Sequence, residues 1–447
     1  MIENEDRLSN EQKIENLMNW LTVEHPKKMK ISSNVKISTD AYGGIGLYYE
    51  QNEKLSIMNE IIHVPSYFFI NKLTCLKHFE KKIAERDDIW YKYSSNHPET
   101  AIQDIKDNWN SFDTIILYIY VEWFCSTFKS FHLPFFQTFP SSKFFEDNIP
   151  VLQVLNLEDK AIDTTAIIEK LPVEFKVEFE KLYNNIKSTE AHLIPILINN
   201  FDLQKDIQQV KKRIRYIYMC INSRCLYYKI STAQTRNEDN LTLVPLVDFI
   251  NHSNKQYEVN ARAETTINNI QLENQDYKIF YEENDNKEIL FKYGHHSDDL
   301  LLNDYGFILN EENENNHIDV TEIVLKKINE YELDYLKEIN VYKENDRFCI
   351  NSDKVTLYPN TQIAIYIISL NHELSNLKNL KTFAKPKQLK LNQFMKSRRT
   401  NSEHYQNEIK QILQEYDLDL QAKYQSLKSI DNVPSSLINL IEKRIIK

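Results

Sequence analysis

The chain has 447 residues, 42% of them hydrophobic and 12% aromatic, which is ample apolar material for large cores and speaks against global disorder. Its formal net charge of -11 argues against nucleic acid as the main ligand, because such a protein needs a basic surface. Its five cysteines, Cys75, Cys125, Cys220, Cys225 and Cys349, are scattered without a CxxC pair, which argues against a disulfide framework and a cysteine-built zinc site.

In chain order, "MIENEDRLSNEQKIE" has neither the basic nor the apolar region of a signal peptide. Ile14, Leu17, Met18 and Leu21 fall at helical spacing. Short strands are expected at "NVKIS", "IGLYY" and "NEIIHVP". From about 66 to 232 the pattern is mostly helical. There "TIILYIYVEWFCSTF", broken by Glu122, is too short to span a bilayer and reads as a buried helix. "DIQQVKKRIRYIYMCINSRCLYYKI" repeats apolar residues at Ile207, Val210, Ile214 and Ile217. Strands return between about 241 and 293, in "LTLVPLV", "YEVNARAE", "YKIFYEE" and "EILFKYG". After about 320 helices are expected to the end, with "HYQNEIKQILQEYDLDLQAKYQSLKSI" as one long amphipathic helix. The basic run "KPKQLKLNQFMKSRR" reads as a solvated loop and helix start. Two strand blocks separated by helices argue against a doubly wound sheet, and predict an α+β fold with a helical insertion.

Glycine use is the most unusual feature. Average usage would give roughly 30 in a chain this long, yet there are only five. Gly43, Gly44 and Gly46 cluster in "DAYGGIGLYYE", while Gly294 and Gly306 each follow a tyrosine, Tyr293 and Tyr305, twelve residues apart. A bare backbone serves either a turn or the close approach of a ligand. The cluster matches neither a phosphate loop nor a dinucleotide fingerprint, since the segment after it is strand-like. "LVPLVDFINHS" reads as an apolar strand ending in Asn251-His252, and "NSRCLYY" places Arg224 near a helix end. His252, His295 and His296 lack the companion ligands of a metal site, so no metal is expected.

Taken in order, "GGIGLYYEQNEKLSIMNEIIHVP", "SFHLPFFQTFP", "NSRCLYY", "LVPLVDFINHS" and "EILFKYGHHSDDLLLNDYGF" resemble SET-domain protein-lysine methyltransferases of the RuBisCO large-subunit methyltransferase type. The resemblance implies a SET-domain β-fold with a pseudoknot, through which the Asn-His strand passes, and a helical C-terminal substrate-binding domain. The expected domains are 1–95 (N-terminal helix and first SET half), 96–235 (helical insertion), 236–312 (second SET half) and 313–447 (all-helical). It implies S-adenosylmethionine as cofactor, held by Gly43, Gly44, Ile45, Arg224, Asn251, His252 and Tyr305. Arg224, Asp248, Tyr257 and Tyr293 would line the substrate-lysine channel. Tyr293 and Tyr305 would be catalytic, with Tyr305 at the point of methyl transfer. All five glycines would then belong to one active site. The implied partner is a protein carrying the target lysine, such as a ribosomal protein or elongation factor, modified by a cytoplasmic or nuclear monomer with no direct nucleic-acid or membrane contact. Histidine methylation in the same fold and a non-catalytic scaffold are the alternatives.

Overall fold

The computed structural model describes residues 8–25, 29–39, 44–50, 59–87, 90, 98–125, 130–201, 206–230, 240–264, 276–309, 311–374, 383–398, 400 and 402–445. The chain divides into two compact units, one of Met1–Asp147 with Leu182–His295, the other of Asn148–Lys181 with His296–Lys447. The expected insertion 96–235 is therefore shared between them, and the second unit begins before the expected boundary at 313.

In the first unit, β1 (Lys30–Ile31), β4 (Asn59–Val64), β9 (Tyr277–Tyr281) and β8 (Ala261–Glu264) form an antiparallel sheet in the order β1-β4-β9-β8. Alternation makes β9 a strand: Tyr277, Ile279 and Tyr281 are buried while Lys278 and Phe280 are half-buried. A separate hairpin pairs β2 (Val35–Thr39) with β3 (Ile45–Tyr49), in register from Val35 opposite Tyr49 to Thr39 opposite Ile45. Two short pieces, β5 (Leu226–Tyr227) and β6 (Leu241–Thr242), also pair.

The helices beside these sheets follow the expected periodicity. Helix Ile207–Arg224 starts where Asp206 accepts a hydrogen bond from the Gln209 amide at 3.0 Å, a cap that satisfies an otherwise orphaned donor. Val210, Ile214, Ile217 and Ile221 form its buried stripe, whereas Ile207 is half exposed. The apolar run near 114 is a buried helix, Ser111–Tyr120, continued by a π-helical turn, Val121–Cys125. Glu122 in that turn accepts hydrogen bonds from His78 (2.9 Å) and Trp90 (3.1 Å). Burial alone would raise its pKa, but these donors, His78 foremost, hold it below the usual glutamate value.

The second unit is built mainly of helices, including Pro359–Glu373, Lys385–Ser397 and Glu403–Lys428. The last was expected, and Tyr405, Glu408, Ile412, Tyr416, Leu420 and Leu427 mark its inward face. Two expectations are corrected. First, the region is not all-helical: β11 (His317–Asp319) pairs antiparallel with β12 (Cys349–Asn351), strands too short to show an alternating pattern. Second, the basic run is a helix, Lys385–Ser397, with Lys387 buried in an ion pair to Glu332 (2.9 Å) and hydrogen-bonded to Asn371. Lys387, Leu391 and Phe394 share one helical face, so a lysine occupies a position that pattern reading gives to solvent.

Candidate active site

The motif residues of the first unit meet where three segments converge. The β2-β3 hairpin docks on the stretch before β10 (Leu290–Phe291): Tyr49 donates its amide to the Lys287 carbonyl (2.8 Å), and Ile289 donates to Leu47 (2.7 Å). β10 in turn runs parallel to β7 (Asn251–His252), with Leu290 opposite Asn251 and Phe291 opposite His252. Gly46 sits inside this junction. A Cβ there would lie 3.1 Å from Glu288 Oε1, 3.2 Å from Asn251 Nδ2 and 3.3 Å from the Tyr48 ring. A side chain at Gly46 would thus crowd three neighbouring side chains, each of which would have to give by a few tenths of an ångström. Asn251 Nδ2 donates to Glu288 Oε1 at 2.9 Å, a partner the motif reading missed. Glu288 directly precedes the apolar "ILF", and only the β3 crossing gives its side chain significance.

Tyr293 is braced at both ends. Its amide donates to His252 Nδ1 (3.1 Å), its hydroxyl donates to the Ile250 carbonyl (2.7 Å), and its ring lies 5.1 Å from the His252 ring. Of the expected strand "LTLVPLV", Leu241–Thr242 and the Leu243 bridge to Ile70 are extended, and the pairing ends there. Pro245 offers no amide to a ladder, Leu246 is buried with φ +73°, and Val247–Phe249 is a 3-10 turn. A bulky residue at positive φ, here with ψ -39°, is strained. Here that bend leads straight into Asp248.

Asp248 is fully buried and accepts a hydrogen bond of 2.5 Å from Arg224, the last residue of its helix. Burial pushes the Asp248 carboxyl above the usual range, and the Arg224 guanidinium opposes that shift. The guanidinium lies 5.9 Å from the Phe139 ring and 5.9 Å from the Phe249 ring, so "SFHLPFFQTFP" contributes to its surroundings. Arg224 Nε and Asp248 Oδ1 are buried with no hydrogen-bond partner among the described residues. An ion pair with a donor and an acceptor left over is high in energy unless something else engages them.

The remaining expectations fare differently. Ile45 opens β3 and Gly44 precedes it, exposed, while Gly43 lies outside the described residues. Tyr257 does not line an enclosed channel: it is 73% exposed, in a turn whose Tyr257 and Glu258 carbonyls accept from Asn284. Tyr305 belongs to the second unit, at the end of helix Asp298–Tyr305, with its ring 6.0 Å from that of His296. Gly306 is that helix's cap, with φ +80°, and a Cβ would lie 3.2 Å from Asn148 and Ile149. Of the two reasons for a bare backbone, a turn and a ligand's approach, helix termination and packing account for Gly306.

No protein-family model matches the chain. It is 24% identical over 370 residues to ribosomal lysine N-methyltransferase 2 of Saccharomyces cerevisiae, covering 72% of this chain and 75% of that protein. It is 33% identical over 113 residues to ribosomal lysine N-methyltransferase set11 of Schizosaccharomyces pombe, covering 23% of this chain and 26% of that protein. Among solved structures it matches the SET domain of LSMT bound to lysine and AdoHcy, with a TM-score of 0.55, 16% identity, and coverage of 98% of this chain and 90% of that one. It also matches Rubisco LSMT bound to AdoMet, with a TM-score of 0.52, 16% identity, and coverage of 98% and 93%. The chain has the fold of the SET-domain methyltransferases of the RuBisCO large-subunit methyltransferase type.

Proposed function

We propose that this protein is an S-adenosylmethionine-dependent protein-lysine N-methyltransferase whose acceptor is a ribosomal protein. The observation that carries this reading is the junction itself. Gly46, Asn251 and Glu288 lie far apart in sequence, yet the fold packs them together beside Tyr293 and His252. The sequence similarity to ribosomal lysine N-methyltransferases supports the acceptor class.

The residues present suit the cofactor. The Arg224 side chain keeps 14% exposure and its guanidinium suits a ligand carboxylate, while the fully buried Asp248 side chain serves as its counter-charge. Arg224 would hold the carboxylate, with Gly43, Gly44 and Ile45 offering backbone groups and Asn251 and His252 the other polar contacts. Bound S-adenosylmethionine supplies a methyl group on a positively charged sulfur. The protein's task is then alignment and proton management. A lysine amine attacks only when neutral, and with a pKa of about 10.4 only one in a few thousand is neutral at pH 7. An apolar, phenol-lined surround disfavours the ammonium and lowers that pKa. Tyr293 already donates its hydroxyl proton to Ile250, which suits a brace for β7. Tyr305 is therefore assigned the role at the reacting amine.

The test is to incubate the purified chain with radiolabelled S-adenosylmethionine and ribosomes from cells lacking this gene, then locate the label by mass spectrometry. Methylated lysine on a ribosomal protein is the expected result. Label on histidine, or no label at all, contradicts the proposal.

A further inference from the structure

Two cationic residues of helix Ser435–Ile445 reach the opposite end of the helix that bears Tyr305. That helix begins with Asp298 and Asp299, each only 1% exposed. Lys443 donates to Asp298 Oδ2 at 2.7 Å and also to the Leu309 carbonyl. Arg444 donates through Nη2 to Asp299 and through Nη1 to Glu174 at 3.2 Å. Glu174 is itself fixed, accepting from the Asp319 amide (2.8 Å) and the Tyr416 hydroxyl (3.0 Å). The Asp298 side chain gathers three more donors, the Asn316 and Asn313 amides and the Leu309 backbone.

A buried ionic network is a poor source of stability, because desolvation offsets much of the attraction; in some proteins what it supplies is a unique geometry. Here the geometry fixed is that of an eight-residue helix, about 12 Å long. Its far end is fixed too, by the left-handed turn at Gly306 against Asn148 and Ile149. Negative charge in its first turn also suits the helix dipole. With both ends held, Tyr305 has little freedom to shift.

Resting on the proposed function, we infer that Arg444 and Lys443 are positioning residues for Tyr305. They act through Asp299 and Asp298 to set where the phenol stands, and they touch neither cofactor nor acceptor.

The test uses the full chain carrying 3-fluorotyrosine at position 305. The variants are Arg444→Gln, Arg444→Lys and, as a control, Lys387→Met, which breaks another buried pair of the same unit. Arg444→Gln is expected to lower kcat by about tenfold or more, the scale of a misplaced catalytic group. AdoHcy affinity by calorimetry should stay within about twofold, and the fluorine resonance should shift or broaden. Arg444→Lys should recover most of the lost rate. Lys387→Met should lower the thermal midpoint while leaving kcat and the resonance as in wild type. If Arg444→Gln does not fold, Lys443→Met takes its place with the same expected split. An unshifted resonance with unchanged kcat overturns the inference, as does an equal loss in Lys387→Met. A wild type that labels no lysine refutes the proposed function instead, and the fluorine signal still decides the positioning on its own.

Discussion

The two Tyr-Gly pairs look alike in the sequence and are built by different means. Tyr293 is held by strands: a backbone carbonyl takes its hydroxyl, a histidine takes its amide, and β10 fixes its approach. Tyr305 ends a short helix whose other end is set by ion pairs with residues some 145 positions away. One tyrosine is placed by hydrogen bonds to the neighbouring strand and the other sits on a helix anchored by charge. A repeated dipeptide need not mean a repeated setting: Tyr293 is hydrogen-bonded at both its amide and its hydroxyl, whereas Tyr305 closes a helix capped by Gly306.

Each side of the comparison can be broken separately. The largest stability effect is expected at the first unit's ion pair. Arg224→Met leaves Asp248 buried without its counter-charge and should cost about 3–5 kcal/mol in chemical denaturation, with loss of cofactor binding by calorimetry. On the second side, Asp298 has its carboxyl pKa held down: burial would raise it, but Lys443, Asn316 and Asn313 outweigh that effect. A depressed folded-state pKa gives stability that is present above the ordinary value of 3.8 and is lost as pH falls through the lowered one. Asp298→Asn should therefore destabilise by about 1–3 kcal/mol at pH 7, with the difference from wild type vanishing as the pH drops below that range. Gly306→Ala should cost about 1–2 kcal/mol, because its left-handed φ disfavours any side chain and the new Cβ presses on Ile149. Tyr293→Phe should cost about 1 kcal/mol, the loss of one hydrogen bond to Ile250.

Local patterning made much of the fold legible. β2, β3, β4 and helix Glu403–Lys428 lie where the spacing of their apolar residues places them. The run "LVPLV" misled because a continuous apolar stretch fits a buried strand and a buried turn equally well; Pro245 is a strand-breaking signal that its apolar neighbours outweighed, and the positive φ of Leu246 leaves no mark in the sequence. β11 and β12 are too short to register. Motif order singles out Arg224, Asp248, Asn251, His252 and Tyr293, and the fold pairs Arg224 with Asp248 and His252 with Tyr293. Glu288 and Arg444 were not, because each matters only through a partner that the fold brings from elsewhere in the chain. Tyr257 is 73% exposed in a turn whose carbonyl accepts from Asn284, a setting that its sequence neighbours do not announce.

The central claim is that Tyr305 works at the methyl acceptor while Tyr293 braces the site. Measuring kcat for Tyr305→Phe and Tyr293→Phe side by side, with AdoHcy affinity recorded for both, tests it most directly. Tyr305→Phe is expected to lose about a hundredfold or more in kcat with affinity retained, and Tyr293→Phe less than about tenfold. Equal losses, or a larger loss in Tyr293→Phe, would contradict the account.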